Sequence, residues 1–257
     1  MGFVLMCGVS IVRSSKTEIK KAPLTPQLFS KGETLYNQNC ASCHGAGGDG
    51  QGKAAYLLYP KPRNFKEGLF RLVSTTDLQP TNVDFFNSIT RGMPGSGMPP
   101  WSHLAEEDRW SLVYYVRYLT ELGKETSSGN ITEEQIKNGV SAEAKLRLAG
   151  IDANPESAIQ VPVEPAVTKE GIARGQTLYT QACASCHGPQ GKGDGQQLMM
   201  DNAGLPIRPR DLTAGVFKGS SGSDDLWYRI NAGLPGSPMP GYQGAYSDDQ
   251  LWDLIHY

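Results

Sequence analysis

Two places along the chain carry a pair of thiols followed at once by an imidazole: Cys40, Cys43 and His44, and again Cys183, Cys186 and His187. Cys-x-x-Cys-His is the attachment pattern for a c-type haem. Two thiols at this spacing can form thioethers with two vinyl groups of one porphyrin, and the adjoining imidazole is then presented to the iron from one side. Two other uses of a Cys-x-x-Cys pair fit less well. A zinc site usually draws its second pair from some 15 to 20 residues further on, and here the next pair lies far beyond that. A redox dithiol sits near a βαβ pattern, which is missing, and does not call for a histidine in the same place twice. The fifth cysteine, Cys7, stands alone, and an odd count argues against a disulfide scaffold.

The signatures belong to a longer repeat. Gly32 to Gly45 reads GETLYNQNCASCHG and Gly175 to Gly188 reads GQTLYTQACASCHG, identical at eleven of fourteen positions with an offset of 143. The match continues through Gly48-Asp49-Gly50 against Gly193-Asp194-Gly195, and Pro62-Arg63-Asn64-Phe65 against Pro209-Arg210-Asp211-Leu212. Further on, an apolar face with Phe85, Phe86 and Ile89 runs to Gly92, and one with Leu226, Trp227 and Ile230 runs to Gly233. A Pro/Gly-rich loop ending in Met-Pro follows each: Met93 to Pro99, and Leu234 to Pro240.

Haem iron takes a second axial ligand or keeps an open face, and a methionine thioether opposite histidine is the pairing of electron-carrying cytochromes. Met98 and Met239 fit that role: each is in a loop after a helix, at matched places, before a proline that restricts its backbone. Met93 faces Leu234 in the other repeat and reads as packing. His103 and His256 have no matched counterparts and read as surface or capping residues. Arg63 and Arg210 recur between attachment site and methionine loop, and a guanidinium suits carboxylates, so they are expected to bind haem propionates. Tyr36 and Tyr179 read as helix-packing residues.

Helices must position these groups. Each repeat is expected to open with a helix, capped at Ser30 with Glu33 three residues on, and at Thr168. Each closes with a helix bearing a matched tryptophan: Trp110 with Leu112, Val113 and Val116, running to about Leu119, and Trp252 with Leu251, Leu254 and Ile255, boxed by Ser247 and Gln250. That second helix stops at Tyr257 in mid-pattern, which reads as a truncated C-terminus. Strand alternation is absent, so both units are expected to be all-α. Residues 121 to 167 match nothing in the other half. They read as a solvated linker with one helix over Thr132 to Ala149 and an extended stretch at Val161 to Pro165.

Charge adds little. Lys and Arg total 24 against 26 Asp and Glu, and a net charge of −2 gives no case for binding nucleic acid. Phe3 to Val12 is apolar but far shorter than the ~20 residues of a span. It reads as the remnant of a signal or anchor, with Cys7 a poor lipidation site because Met6 precedes it.

Both repeats resemble class I cytochrome c domains, in which a first helix runs into CxxCH, a loop bears methionine, and a C-terminal helix crosses the first. The resemblance covers about residues 28 to 122 and 168 to 257. It implies an all-α protein of two tandem cytochrome c domains joined by a partly extended linker, with a leader over 1–27, domains over 28–122 and 168–257, and the linker over 123–167. It implies two covalently attached haem c groups, the first on Cys40, Cys43 and His44 with Met98 and Arg63, the second on Cys183, Cys186 and His187 with Met239 and Arg210. The expected function is electron carriage between redox proteins, either as a free carrier or as a subunit serving a membrane respiratory complex or periplasmic dehydrogenase. The chain is expected to be periplasmic or tethered facing the periplasm, and no small-molecule substrate is expected. A dihaem enzyme, such as a cytochrome c peroxidase or a thiosulfate-oxidising cytochrome, is the alternative. A haem-based sensor is a third reading, though nothing in the linker resembles a signalling domain.

Overall fold

A computed structural model describes residues 19–257. Cys7, the stretch Phe3 to Val12 and most of the expected leader lie outside the described residues. Among those described, every regular element is helical, and strand geometry is confined to two isolated bridges, Thr75 with Ala158 and Met200 with Pro206.

Helix α1, Pro26–Asn39, starts where Thr25 accepts a hydrogen bond from the Leu28 amide and Pro26 supplies a preset first turn. The expected cap, Ser30, lies inside the helix: its hydroxyl starts nothing once Thr25 and Pro26 have nucleated the first turn more than a full turn earlier. The stripe Leu28, Phe29, Gly32 and Tyr36 is buried. Through Cys40 the chain turns directly into the short α2, Ala41–His44. Helix α3, Asn82–Arg91, opens with a reciprocal box between Thr81 and Asp84. Helix α4, Glu106–Ser127, places Glu106, Glu107 and Asp108 at its positive end and runs well beyond the expected stop near Leu119.

The linking stretch is not simply solvated. In place of one helix it forms α5, Glu133–Lys137, and α6, Ala142–Ala149, because Gly139 breaks the run with φ 91° and Ser141 caps the second piece. Leu148 and Ala149 are fully buried in the first core, and the Asp152 carboxylate accepts from the Asn82 amide at 2.7 Å. Residues 159–168, which include Val161 to Pro165, carry no regular element.

In the second half, α7, Lys169–Ala182, is capped by Thr168, and α8, Ala184–His187, carries the second signature. Helix α9, Ser223–Ala232, and α10, Asp248–His256, follow, the latter with the expected Ser247 and Gln250 box.

In each half the first and last helices cross at a glycine. A Cβ on Gly32 would stand 2.1 Å from the Ser111 carbonyl oxygen, and one on Gly175 would stand 2.0 Å from that of Asp253. Beside each crossing a pair of tyrosines packs, Tyr36 on Tyr115 at 5.1 Å and Tyr179 on Tyr257 at 5.4 Å. The halves are themselves joined. Val73, from the first half, is buried in the second core with Trp227 and Trp252, and Phe70 packs against both cores.

The crossing predicts that Gly32→Ala and Gly175→Ala each lower stability by about 1–3 kcal/mol, the usual cost of overpacking, read as a shift in the denaturation midpoint at unchanged slope. The capping geometry predicts that Thr25→Ala costs about 1 kcal/mol, while Ser30→Ala stays within about 0.5 kcal/mol.

Candidate haem sites

The end of α1 and the whole of α2 bring Cys40, Cys43 and His44 to the wall of a cavity of about 190 Å³. A single buried water needs only about 10–15 Å³, so this space is of prosthetic-group size. Met98 lines the same cavity, as do Phe65, Phe85 and Ile89. The sequence-expected attachment residues and the methionine, some 54 positions apart in the chain, therefore meet at one apolar space.

The imidazoles are oriented in the same way in both halves. His44 Nδ1 lies 3.1 Å from the Arg63 carbonyl oxygen and His187 Nδ1 lies 3.3 Å from that of Arg210. A carbonyl can only accept, so Nδ1–H donates and Nε2 is left as the free lone pair. Burial holds the pKa of both histidines below the usual value, which favours the neutral form that can ligate a metal. His44 also stacks on Phe65 at 4.6 Å.

Burial pushes the Cys40 thiol up to about 12 and the Cys183 thiol up to about 11, and the second cysteine of each pair adds to the rise. Such thiols are poor thiolates. Among the described residues no group of three or more His, Cys, Asp and Glu could hold a metal ion. The donor set thus suits thioether attachment better than zinc or dithiol chemistry.

The two methionine loops are built alike. The Met93 amide donates to the Met98 carbonyl and the Leu234 amide to the Met239 carbonyl, both at 3.1 Å, and Ser96 and Ser237 close the turns at matched positions. Met93 lines the cavity together with Met98. His103 lies exposed against Trp101, and His256 contacts Glu164 at 3.1 Å; neither lines the cavity. Tyr36 and Tyr179 each donate at 2.7 Å to the carbonyl after their histidine, Gly45 and Gly188.

The hydrogen bonds also correct the repeat register after the signatures. Gly50 donates to the His44 carbonyl and Gly193 to that of His187, so Gly50 matches Gly193, and the expected pairing of Gly48-Asp49-Gly50 with Gly193-Asp194-Gly195 is two residues out. The shared Gly-Asp-Gly string drew the alignment away from the backbone equivalence.

Cations rim the first cavity. Arg63 lines it, and so do Arg71 and Lys218, neither of which was singled out in the sequence. The Arg71 side chain is only 10% exposed, its nearest carboxylate is Asp201 at 3.6 Å, and its Nε is buried without a hydrogen-bond partner. An apolar cavity with an unsatisfied guanidinium at its edge fits a group that is apolar across its ring and carries carboxylates at one side, as haem does. Met199, a residue of the second half also not anticipated, sits 4.0 Å from Cys186 through sulfur.

Each methionine loop is backed by the arginine of the other half. Arg210 Nη2 donates to the Pro94 carbonyl at 2.8 Å, and a Cβ on Gly95 would collide with its guanidinium. Arg63 Nη1 stands 3.3 Å from where a Cβ on Gly236 would be.

Comparison with known proteins agrees with this architecture. Residues 172–257 match the family model described as cytochrome c, and residues 27–116 match that described as cytochrome c oxidase, cbb3-type, subunit III. A chain of the reducing HAO-like protein complex of Kuenenia stuttgartiensis is 32% identical, with a TM-score of 0.76 over 92% of this chain and 97% of that one. The chain belongs to the dihaem c-type cytochromes. This cytochrome is also 26% identical over 196 residues to the cbb3-type cytochrome c oxidase subunit CcoP of Azospirillum sp. (strain B510). That alignment takes in 72% of this chain and 48% of the relative, so the cytochrome spans about half the length of the curated relative it matches. Two tandem cytochrome c domains imply two covalently bound haem c groups and a role in electron transfer, and these relatives favour that role over a dihaem enzyme.

The buried tyrosine contacts predict that Tyr36→Phe and Tyr179→Phe each cost about 1–3 kcal/mol by stranding a carbonyl, while the two-haem absorption spectrum and the rate of reduction stay unchanged. Slower reduction at unaltered stability would instead mark a redox relay.

Proposed function

We propose that this cytochrome is an electron-relaying subunit of a multi-protein redox complex, taking electrons from one protein and passing them to another through two His/Met-ligated haems. His44 and Met98 would hold the iron of the first haem, and His187 and Met239 that of the second. When bound, each haem supplies an iron that gains and loses one electron. The chain's residues supply the rest. The Arg63 and Arg210 carbonyls fix the imidazole tautomer, the paired cysteines would hold the porphyrin through thioethers, and the methionine loops would supply the second ligand. Two protein ligands on each iron would leave no open position for a substrate, which favours a carrier over an enzyme.

The observation that carries this reading is the duplication of one site, with the same imidazole contact and the same methionine loop, in halves that meet at the methionine loops. The partners are redox proteins, as the relatives' membership of oxidase and HAO-like complexes suggests. Attachment of haem to CxxCH takes place outside the bacterial cytoplasm, which supports a periplasm-facing location. Among the described residues no helix is long and apolar enough to cross a membrane. The domains are drawn at 28–122 and 168–257 with the linker at 123–167. Arg63 lines the first cavity, which supports a propionate contact there, and Arg210 is assigned the same role at the second site by the repeat.

The test is optical. Met98→Ala and Met239→Ala should each remove about half of the sulfur-to-iron charge-transfer band of the oxidised protein, and the double variant all of it, while the haem content stays at two per chain because the thioethers remain. A band unaltered by both substitutions overturns the ligand assignment.

A further inference from the structure

Lys218 is carried by the second half, eight residues beyond Arg210, yet it lines the cavity that holds Cys40, His44 and Met98. Among the described residues lining that cavity it alone comes from beyond the linker. Its placement is fixed by packing. The neighbouring Gly219 sits so close to the first half that a Cβ there would lie 3.0 Å from Leu72, itself a lining residue. Arg229 Nη1 donates to the Ser220 carbonyl at 2.8 Å, and Arg91 pairs with Asp225 at 3.0 Å across the seam.

The charges around Lys218 are of one sign. Its charged neighbours are Arg71, Arg210 and Arg63, and no carboxylate stands within ion-pair distance of its ammonium group among the described residues. Asp201 is turned to Arg71, and Glu67 accepts from Asn64 and Asn202. Lys218, Arg71 and Arg63 line the apolar cavity with Arg210 close behind them, and the buried Nε of Arg71 is unsatisfied, so the cluster calls for an anion supplied by a ligand.

We propose that Lys218 binds a propionate of the first haem from the opposite half of the molecule, so that the first haem site is completed only when the two halves are docked. The inference rests on the assignment of the first haem to Cys40, Cys43 and His44. Burial, and after it the three arginines, push the Lys218 ammonium down to about 8; a carboxylate beside it would oppose that shift. Arg63 alone was expected to serve the first site from the sequence, and it is shared with the seam, since it also backs the Met239 loop.

The experiment is a potentiometric titration of the two-haem protein at pH 6. The first haem is identified as the one whose potential moves in Met98→Ala. A cation near the iron favours the reduced form, so Lys218→Met should lower the reduced-to-oxidised ratio of the first haem on the order of tenfold at a fixed potential, about 59 mV for one electron. Lys218→Arg should stay within about twofold of wild type, and Lys192→Met, an exposed lysine of the same half, should change neither haem. An unchanged first haem in Lys218→Met, an equal shift of both haems, or a Lys218→Arg variant that falls as far as Lys218→Met overturns the proposal. Should Lys218→Met fail to retain two haems, the Arg variant decides: retention at wild-type potential supports the cationic contact and loss overturns it. A failure of Met98→Ala to alter the spectrum would instead count against the ligand assignment, so the two ideas fail separately.

Discussion

The structure of each half depends on one close approach between backbones. At Gly32 and at Gly175 the first helix comes so near the last that no side-chain atom fits between the glycine and the facing carbonyl. That approach sets the height at which α1 ends, and the end of α1 is where the thiols and imidazole begin. Had the helices been held apart by the width of a methyl group, Tyr36 could not reach both Tyr115 and the Gly45 carbonyl. The Tyr36 contact in turn pins the turn after His44, and through it the carbonyl of Arg63 meets Nδ1. A small domain has little apolar surface with which to fix a cofactor site. Here the orientation of the imidazole is inherited from a helix crossing more than ten residues away.

What the sequence disclosed and what it hid divide along a physical line. Groups whose roles follow from neighbours in the chain were legible: the two Cys-x-x-Cys-His signatures, the Met-Pro loops, and the caps at Thr168 and Ser247, because thioether spacing and capping are local geometry. Ser30 was misread because a serine followed by Glu33 satisfies the same local pattern as a true cap; Thr25 won since Pro26 starts the helix earlier. The linker was misread for a different reason. Leu148 and Ala149 look unremarkable in a polar stretch, and only the shape of the α1 and α4 surface shows that they are buried. Arg71 and Lys218 carry no local mark at all; a lone cation becomes part of a site only through what the fold sets beside it.

The seam between the halves follows the internal repeat. Two copies of one domain face each other so that Arg210 meets the Met98 loop and Arg63 meets the Met239 loop, an exchange that one pseudo-twofold relation produces twice. Gly95 and Gly236, with φ of 76° and 70°, leave the space into which these guanidinium groups fit. Each arginine thus has its carbonyl on its own histidine and its side chain against the other half's methionine loop. A displacement of one loop is felt by the residue that orients the other imidazole.

Departures from the exchange are informative. Lys218 enters the first cavity. The first core has gained α6 with the buried Leu148, while the second borrows Val73 from the first half and Ile159 from the linker. Two sites that began as copies are therefore set in different surroundings: one enclosed by its own extended α4 and a lysine from across the seam, the other leaning on its neighbour for part of its core. A repeated motif thus sits in unequal surroundings, because each half is completed by different parts of the rest of the chain.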